Sequence, residues 1–348
     1  MLRKVIYSVS IVALIVIAFT LRTLWLAGVF TRVEPRKFGV CHWVNGPVGP
    51  EDITIHPKTG IAYISASDRR AHPPRPGAIF AYDLKQRDAR PLNLTPSADA
   101  GFQPHGISLW VDRDGHDALF VINHQLLGDG TRKHSVQIFD LADGKLTAHA
   151  TIGSPLLVMP NDLVAVGPDR FYLTNTHKNP PGLWQTIETY LRLTGAQVLY
   201  FDGQDFRPVI DDVVMPNGIN VSPDGRTLYV ASTTSHRVVV YDLSVAGERL
   251  QKRREIYLGM GADNIEVEAN GTLWVAGHPQ LLRLEAHQKN PAELSPSSVF
   301  RISPDGEAQE VYANLGEEVS GSSVAAVYGK RMLIGQIFDD GFLDCTLP

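Results

Sequence analysis

With 348 residues, 44% of them hydrophobic, the chain can bury a large core. Its net charge of −5 comes from 32 basic and 37 acidic residues mixed along the sequence, which leaves no basic stripe for a phosphate backbone and excludes nucleic acid as a partner. Two cysteines, Cys41 and Cys345, with no Cys-x-x-Cys and no His-Glu-x-x-His, leave zinc without a motif.

The chain begins with an apolar segment. After Arg3 and Lys4 come seventeen uncharged, mostly apolar residues from Val5 to Leu21, then Arg22, then a second apolar run from Thr23 to Phe30. Seventeen residues stand at the lower limit for a bilayer span, and a snorkelling Arg22 extends the segment to Phe30. No small-x-small cleavage site follows, which favours an uncleaved membrane anchor over residues 1–30 rather than a removed signal peptide. Basic residues on both flanks leave the orientation undetermined by charge. Residues 31–50 read as a linker ending in Asn45-Gly46-Pro47-Val48-Gly49-Pro50, a turn-rich entry to a globular unit over 31–348.

Six stretches then read alike. They begin at Glu51-Asp52-Ile53, His105-Gly106-Ile107, Asn161-Asp162-Leu163, Asn217-Gly218-Ile219, Asp263-Asn264-Ile265 and the degenerate Gly321-Ser322-Ser323, spaced 54, 56, 56, 46 and 58 residues apart. A turn and a second apolar strand follow each, starting at Gly60, Ala118, Arg170, Arg226, Gly271 and Arg331. That period suits one four-stranded blade per repeat and predicts an all-β, six-bladed β-propeller with a central channel. Asp112-Arg113-Asp114-Gly115, Asp224-Gly225, Asn270-Gly271 and Asp305-Gly306 are hairpin turns; the first lacks the ligands of a calcium loop. Residues 66–77, polar and proline-rich, form a loop in the first blade. Leu183, Trp184, Ile187, Tyr190 and Leu191 follow helical spacing and predict a helix within 181–193, either an apolar wall for substrate, a face toward membrane, or simple packing on the blades. Of the Asn-x-Ser/Thr sequons at Asn93, Asn220 and Asn270, only Asn93 avoids an inner strand or a tight turn.

If the innermost strands share a direction, their first residues converge at one mouth of the channel. Glu51, Asp52, Asn161, Asp162, Asn217, Asp263 and Asn264 are all oxygen donors, a hard set that favours Ca²⁺ over zinc, copper or iron. Neighbours on a strand face opposite ways, so adjacent pairs serve different places, and two ions follow. The alternative is a ring of hydrogen bonds across the channel, with calcium as a structural staple. His105 and His124 on adjacent strands of one blade, beside carboxylates, are candidates for proton transfer; a satisfied structural role is the alternative. No Gly-x-Ser-x-Gly elbow and no phosphate or dinucleotide loop is present. Closing the ring brings Cys41 and Cys345 near each other. A bridge there closes a loop of about 300 residues, worth roughly 5 kcal/mol in the chain-entropy model, and implies an oxidising compartment; two unrelated thiols are the alternative.

Over most of residues 38–348 the chain resembles the paraoxonase/arylesterase family of calcium-dependent lactonases. The resemblance is carried by Gly-Pro-Glu51-Asp52, Pro-His105-Gly-Ile107-Ser, Val-Ile-Asn-His124, Asn161-Asp162-Leu-Val-Ala-Val-Gly-Pro, Asn217-Gly-Ile-Asn-Val-Ser-Pro-Asp-Gly, Asp263-Asn264-Ile, Trp-Val-Ala-Gly-His278-Pro and the closing Val-Tyr-Gly-Lys-Arg-Met-Leu-Ile-Gly-Gln-Ile-Phe. It implies a six-bladed propeller with two calcium ions in its channel and a retained hydrophobic N-terminus. By motif, Glu51, Asn161, Asn217, Asp263 and Asn264 resemble the ligands of a catalytic ion, and Asp52, Asp162 and the Ile107 carbonyl those of a deeper structural ion. His105 and His124 match the family's histidine pair, His278 a histidine near the pocket, and Cys41 with Cys345 its disulfide. A cysteine that some mammalian members carry just before that histidine is Gly277 here. The 66–77 loop and the 181–193 helix match poorly. The implied activity is hydrolysis of lactones and aryl esters, with phosphotriesters as secondary substrates. A gluconolactonase-like enzyme with one ion, and a membrane-tethered propeller that only binds a ligand or protein, are the competing readings.

Overall fold

The computed structural model describes residues 2–86, 88–95, 98–112, 114–128, 130–243 and 250–348. Its strands form six antiparallel four-stranded sheets arranged as blades around a channel, so the predicted propeller is borne out. The inner strands are Pro50–Ile55, Pro104–Trp110, Pro160–Ala165, Pro216–Val221, Gly261–Val267 and Ser322–Tyr328, one for each repeat. Among the second strands, Phe171–Asn175 and Leu273–His278 are buried along their whole length. Six apolar clusters fill the seams between neighbouring blades. Phe120, Ile122, Leu163, Phe171 and Leu199 join the second and third blades, and Val44, Ile53, Ile64, Leu333 and Phe342 join the last and first. Stability is thus spread around the ring, each blade burying its faces against two others.

The ring closes by pairing chain ends, and here one expectation is corrected. Residues 40–48 are not linker: Val40–Val48 is a strand that pairs antiparallel with Asp340–Thr346 and completes the last blade. Asn45-Gly46-Pro47 suggested a turn because they lie in the interval between the Val44 and Val48 pairings, where the register shifts. Cys41 sits opposite Cys345 in this ladder, and the two form a disulfide. Of the predicted hairpin turns, the one at Asp112–Gly115 includes Arg113, which lies outside the described residues.

Within each blade the end of the second strand pairs with the start of the first, as in Pro50 with Ala66 and Pro160 with Asn175. Connections from second to third strand therefore leave from the mouth where the donors begin. The 67–77 loop makes this connection in the first blade, helix α2 (Leu183–Leu191, after the N-terminal helix α1, Leu2–Leu26) in the third, and helix α3 (Leu281–Lys289) in the fifth. The repeat pattern does not anticipate α3, whose nine residues fall where a short hairpin loop is expected. The end of α1 is docked on this mouth: the Leu281 amide donates to the Ala27 carbonyl at 2.9 Å, and Gln280 Nε2 to the Thr31 carbonyl at 2.9 Å. The span Arg3–Leu26 is long and apolar enough to cross a membrane, and none of it is buried against the propeller.

Replacing Cys41 and Cys345 together by Ser should cost about 2–4 kcal/mol and lower the melting temperature by roughly 5 °C, while leaving the circular-dichroism spectrum of the folded state unchanged. The same loss should follow from reductant alone.

Candidate active site

Two consecutive positions at the head of each inner strand build the site. The first position carries, in ring order, Glu51, His105, Asn161, Asn217, Asp263 and Ser322; the second carries Asp52, Gly106, Asp162, Gly218, Asn264 and Ser323. In every blade the pairing register shifts here, between Pro50 and Asp52, Pro104 and Ile107, Pro160 and Leu163, Pro216 and Ile219, Ala262 and Ile265, and Ser322 and Val324. A bulge re-aims side chains and frees backbone groups, so the strand heads offer donors to the channel instead of ladder partners.

The second position alternates for a steric and electrostatic reason. Asp52 Oδ2 accepts from the Ile107 amide of the next blade at 2.7 Å, while its Oδ1 accepts from Ile53 at 2.9 Å. Asp162 repeats the arrangement, accepting from Ile219 at 2.8 Å and Leu163 at 2.7 Å. Between them stand glycines. A Cβ on Gly106 would lie 2.6 Å from the Asp162 Cα, and one on Gly218 2.6 Å from the Asn264 Cα, so each glycine makes room for the next blade's donor.

The first position faces the mouth. Glu51 Oε1 accepts from Asn264 Nδ2 at 3.1 Å, and its Oε2 lies 3.5 Å from His105 Nε2 and 3.9 Å from Arg69. Asp263 Oδ2 pairs with His278 Nε2 at 2.9 Å. Asn217 Nδ2 donates to Thr233 Oγ1 at 3.1 Å, which fixes the direction of its carbonyl oxygen. His105 Nδ1 and His124 Nε2 are 2.7 Å apart. The structure thus brings Glu51, Asn264 and the two histidines into direct contact, and holds Asp263 with His278. Asp52, Ile107 and Asp162 line a cavity of about 430 Å³ further down the channel.

Several contributors escape the repeat pattern. Arg69, from the 67–77 loop, is held by the carbonyls of Gly49, Ser67 and Ile337. Ser323 donates to the Glu51 carbonyl at 2.6 Å and Thr174 to the Asn217 carbonyl at 2.6 Å, bracing the strand heads from behind. Glu266 adds a carboxyl to the lower cavity, and His134 lies beyond His124. The hydroxyls show only as polar residues at otherwise apolar strand positions, and Arg69 shows only as a charge in a loop.

The channel is built for positive charge. Burial and the neighbouring Glu51 push Asp52 well above the usual carboxylate range, burial and Asp52 do the same to Asp162, and burial and Asp52 raise Glu266. Asp263 is raised by burial despite His278. Glu51 is the exception: burial would raise it, but His105 and Arg69 outweigh that and hold it down. Four buried oxygens around the mouth, Glu51 Oε2, Asn161 Oδ1, Asn217 Oδ1 and Asn264 Oδ1, lack a hydrogen-bond partner. Unpaired buried oxygens are costly, and four of them on neighbouring strand heads fit a hard cation. Among the described residues no cluster of three or more His, Cys, Asp or Glu side chains is placed to hold a metal, because amides supply most of the oxygens here.

The arylesterase family profile matches residues 32–347. The chain belongs to the arylesterase family. Serum paraoxonase/arylesterase 2 of Gallus gallus is 34% identical, and that of Homo sapiens 35%, each over 88% of this chain and 89% of the relative. Serum paraoxonase/lactonase 3 of Homo sapiens is 32% identical over the same shares. Among solved structures, a gluconolactonase from Xanthomonas campestris aligns with a TM-score of 0.57 at 18% identity, covering 91% of this chain and 96% of that one, a likeness of fold. The alternation of acid and glycine at the strand heads is how this arylesterase-family chain concentrates carboxylates without backbone collision.

Because the folded state raises Asp52, Asp162 and Asp263, these groups stabilise the cation-free protein below about pH 4 and lose that contribution as pH rises through their folded values. A bound divalent cation removes the repulsion. The gap between melting temperatures with cation and with chelator should therefore widen from pH 4 to pH 8; a constant gap measured by differential scanning fluorimetry would contradict the assignment.

Proposed function

We propose that this arylesterase-family hydrolase is a calcium-dependent lactonase and aryl esterase, with phosphotriesters as secondary substrates. The observation that carries the reading is the group of four buried oxygens without a hydrogen-bond partner, on Glu51, Asn161, Asn217 and Asn264, beside the His105–His124 contact. Glu51, Asn161, Asn217, Asp263 and Asn264 would hold the upper ion; Asp52, Asp162 and the Ile107 carbonyl would hold a deeper one. Calcium, when bound, supplies a hard Lewis acid for the substrate carbonyl and for the negative charge that grows on its oxygen.

The chain's own residues do the rest. His105 Nε2 faces the channel beside Glu51 and takes the proton of the attacking water, while Nδ1 hands its proton to His124 Nε2. His278 fixes the Asp263 carboxylate, and Arg69 offsets the charge of Glu51. An apolar cavity of about 250 Å³ beside the mouth, lined by Leu26, Tyr190, Met215, Leu281, Leu284 and Phe338, takes the apolar part of the substrate. It adjoins the polar site through Thr233, which lines it and also receives the Asn217 amide. The outer face of α2, with Leu183 72% and Trp184 69% exposed, and α1 on the same side support a reading in which this cavity would face a bilayer. The disulfide fits an oxidising compartment, with the protein secreted or anchored by α1.

Full-length protein in detergent should hydrolyse aliphatic lactones and phenyl acetate, lose at least about a hundredfold in kcat/KM in EGTA, and recover with calcium. A folded, calcium-stabilised protein with no turnover would instead favour a binding propeller. His105→Gln should lower kcat by about a hundredfold with calcium stabilisation retained. Leu284→Trp, which fills the apolar cavity, should lower kcat/KM for long-chain lactones about tenfold while sparing short ones.

A further inference from the structure

The histidine pair does not end at His124. Its Nδ1 lies 2.7 Å from Nδ1 of His134, the residue directly opposite it on the next strand of the same blade. The rings of His105 and His124 meet edge to face at 4.9 Å between centroids, and those of His124 and His134 at 4.8 Å. Glu51 Oε2, His105, His124 and His134 thus form one file from the channel toward the edge of the blade, where His134 is only half-buried. We propose that His134 is a positioning residue for catalysis: it fixes the tautomers of His124 and His105 and gives the channel a proton exit to solvent.

This rests on the hydrolase reading above, and the chemistry follows from counting protons. A neutral imidazole has one N–H, and each of the two short contacts needs one. In one arrangement His105 Nδ1 donates to His124 Nε2, His124 Nδ1 donates to His134 Nδ1, and the His134 proton sits on Nε2, facing outward. His105 Nε2 is then a free lone pair at the mouth, the state a general base requires. When His105 Nε2 takes a proton from water, the Nδ1 protons of His105 and His124 each move one place along, and His134 Nε2 releases its proton to solvent. One N–H bond forms and one breaks at each ring, no ring retains extra charge, and a reverse shift resets the file. Burial, His105 and His134 hold the His124 imidazole well below its ordinary range, and burial and Arg132 lower His134, so both are neutral near pH 7. Without His134, nothing in this file selects the Nδ1–H form of His124, and the His124 Nε2–H form leaves His105 protonated at the wrong nitrogen.

Full-length, calcium-loaded protein with ¹⁵N-labelled histidine gives the direct test. The wild type should show His124 protonated at Nδ1 and His134 at Nε2; His134→Ala should shift His124 toward the Nε2–H form. With phenyl acetate, His134→Ala and His134→Phe should both lower kcat about tenfold at unchanged KM. Added imidazole should restore kcat for His134→Ala, whose cavity admits it, and not for His134→Phe. Folded variants that keep the wild-type His124 tautomer and wild-type kcat overturn the proposal, as does a lowered kcat in His134→Ala that imidazole leaves untouched while the tautomer stays fixed. Wild-type protein inactive on every ester and lactone would sink the hydrolase reading alone; the tautomer measurement then still decides whether His134 sets the file.

Discussion

Asp52 and Asp162 each reach from one blade to a backbone amide of the next, and the site depends on those two contacts. The inner strand head is the part of each blade that meets the channel, and that head is bulged out of the ladder in all six blades. The carboxylates replace the missing ladder bonds with interblade ones. They thereby set the relative positions of Glu51, His105, Asn161 and Asn217, which sit one residue earlier on the same strands or their neighbours. Structure and charge are coupled by this device: the groups that align the blades are also the ones that crowd negative charge into the channel.

That coupling explains why burial does not defeat the arrangement. Isolated, a buried carboxylate would take up a proton and lose its acceptor strength. Two backbone N–H donors on each of Asp52 and Asp162 oppose that, and a cation shared with the strand heads would complete the balance. Three of the four oxygens without a hydrogen-bond partner lie on first positions, Asn264 being the exception, and the amide-satisfied carboxylates lie on the second, so the two layers ask different things of an ion. The upper layer offers oxygens without hydrogen-bond partners beside His105 and an adjoining apolar cavity, the features on which the proposed reaction would draw. The lower layer is already committed to backbone.

Much of this was legible in the sequence because it repeats. Donor, then glycine, acid or amide, then a branched apolar residue recurs in five blades, and the period placed all six inner strands and the face they share. Charge and donor chemistry in the repeats point to a hard cation, and ring closure points to the cysteine pair. What stayed hidden is non-local or aperiodic. Val40–Val48 looked like linker because its partner is some 300 residues away. The bulges leave no residue signature, since they arise where a ladder gives way to channel contacts. Arg69 gains its role only from three carbonyls contributed by segments far apart in the chain. Thr174, Thr233 and Ser323 look like ordinary strand residues until their hydroxyls are seen bracing a neighbour's backbone.

The second blade breaks the six-fold pattern, and the break has a physical logic. Its first position is an imidazole where all five others carry a side-chain oxygen, and its second position is glycine, so this blade contributes no side-chain oxygen at the strand head and instead borrows Asp52 from the first. A side chain that is to gain and lose protons, as proposed for His105, would have to keep its lone pair free of a cation. Turning His105 sideways into His124, rather than into the ring, keeps one nitrogen at the mouth and commits the other to its own blade. The second and third strands of that blade, Asp117–Leu126 and Arg132–Ala142, are also longer than their counterparts in the first, third and fourth blades, carrying His124 and His134 out past the channel rim. The extension would be needless for packing, because its outer residues, such as Arg132 and Lys133, are exposed. It is what the proposed path from His105 to water would use.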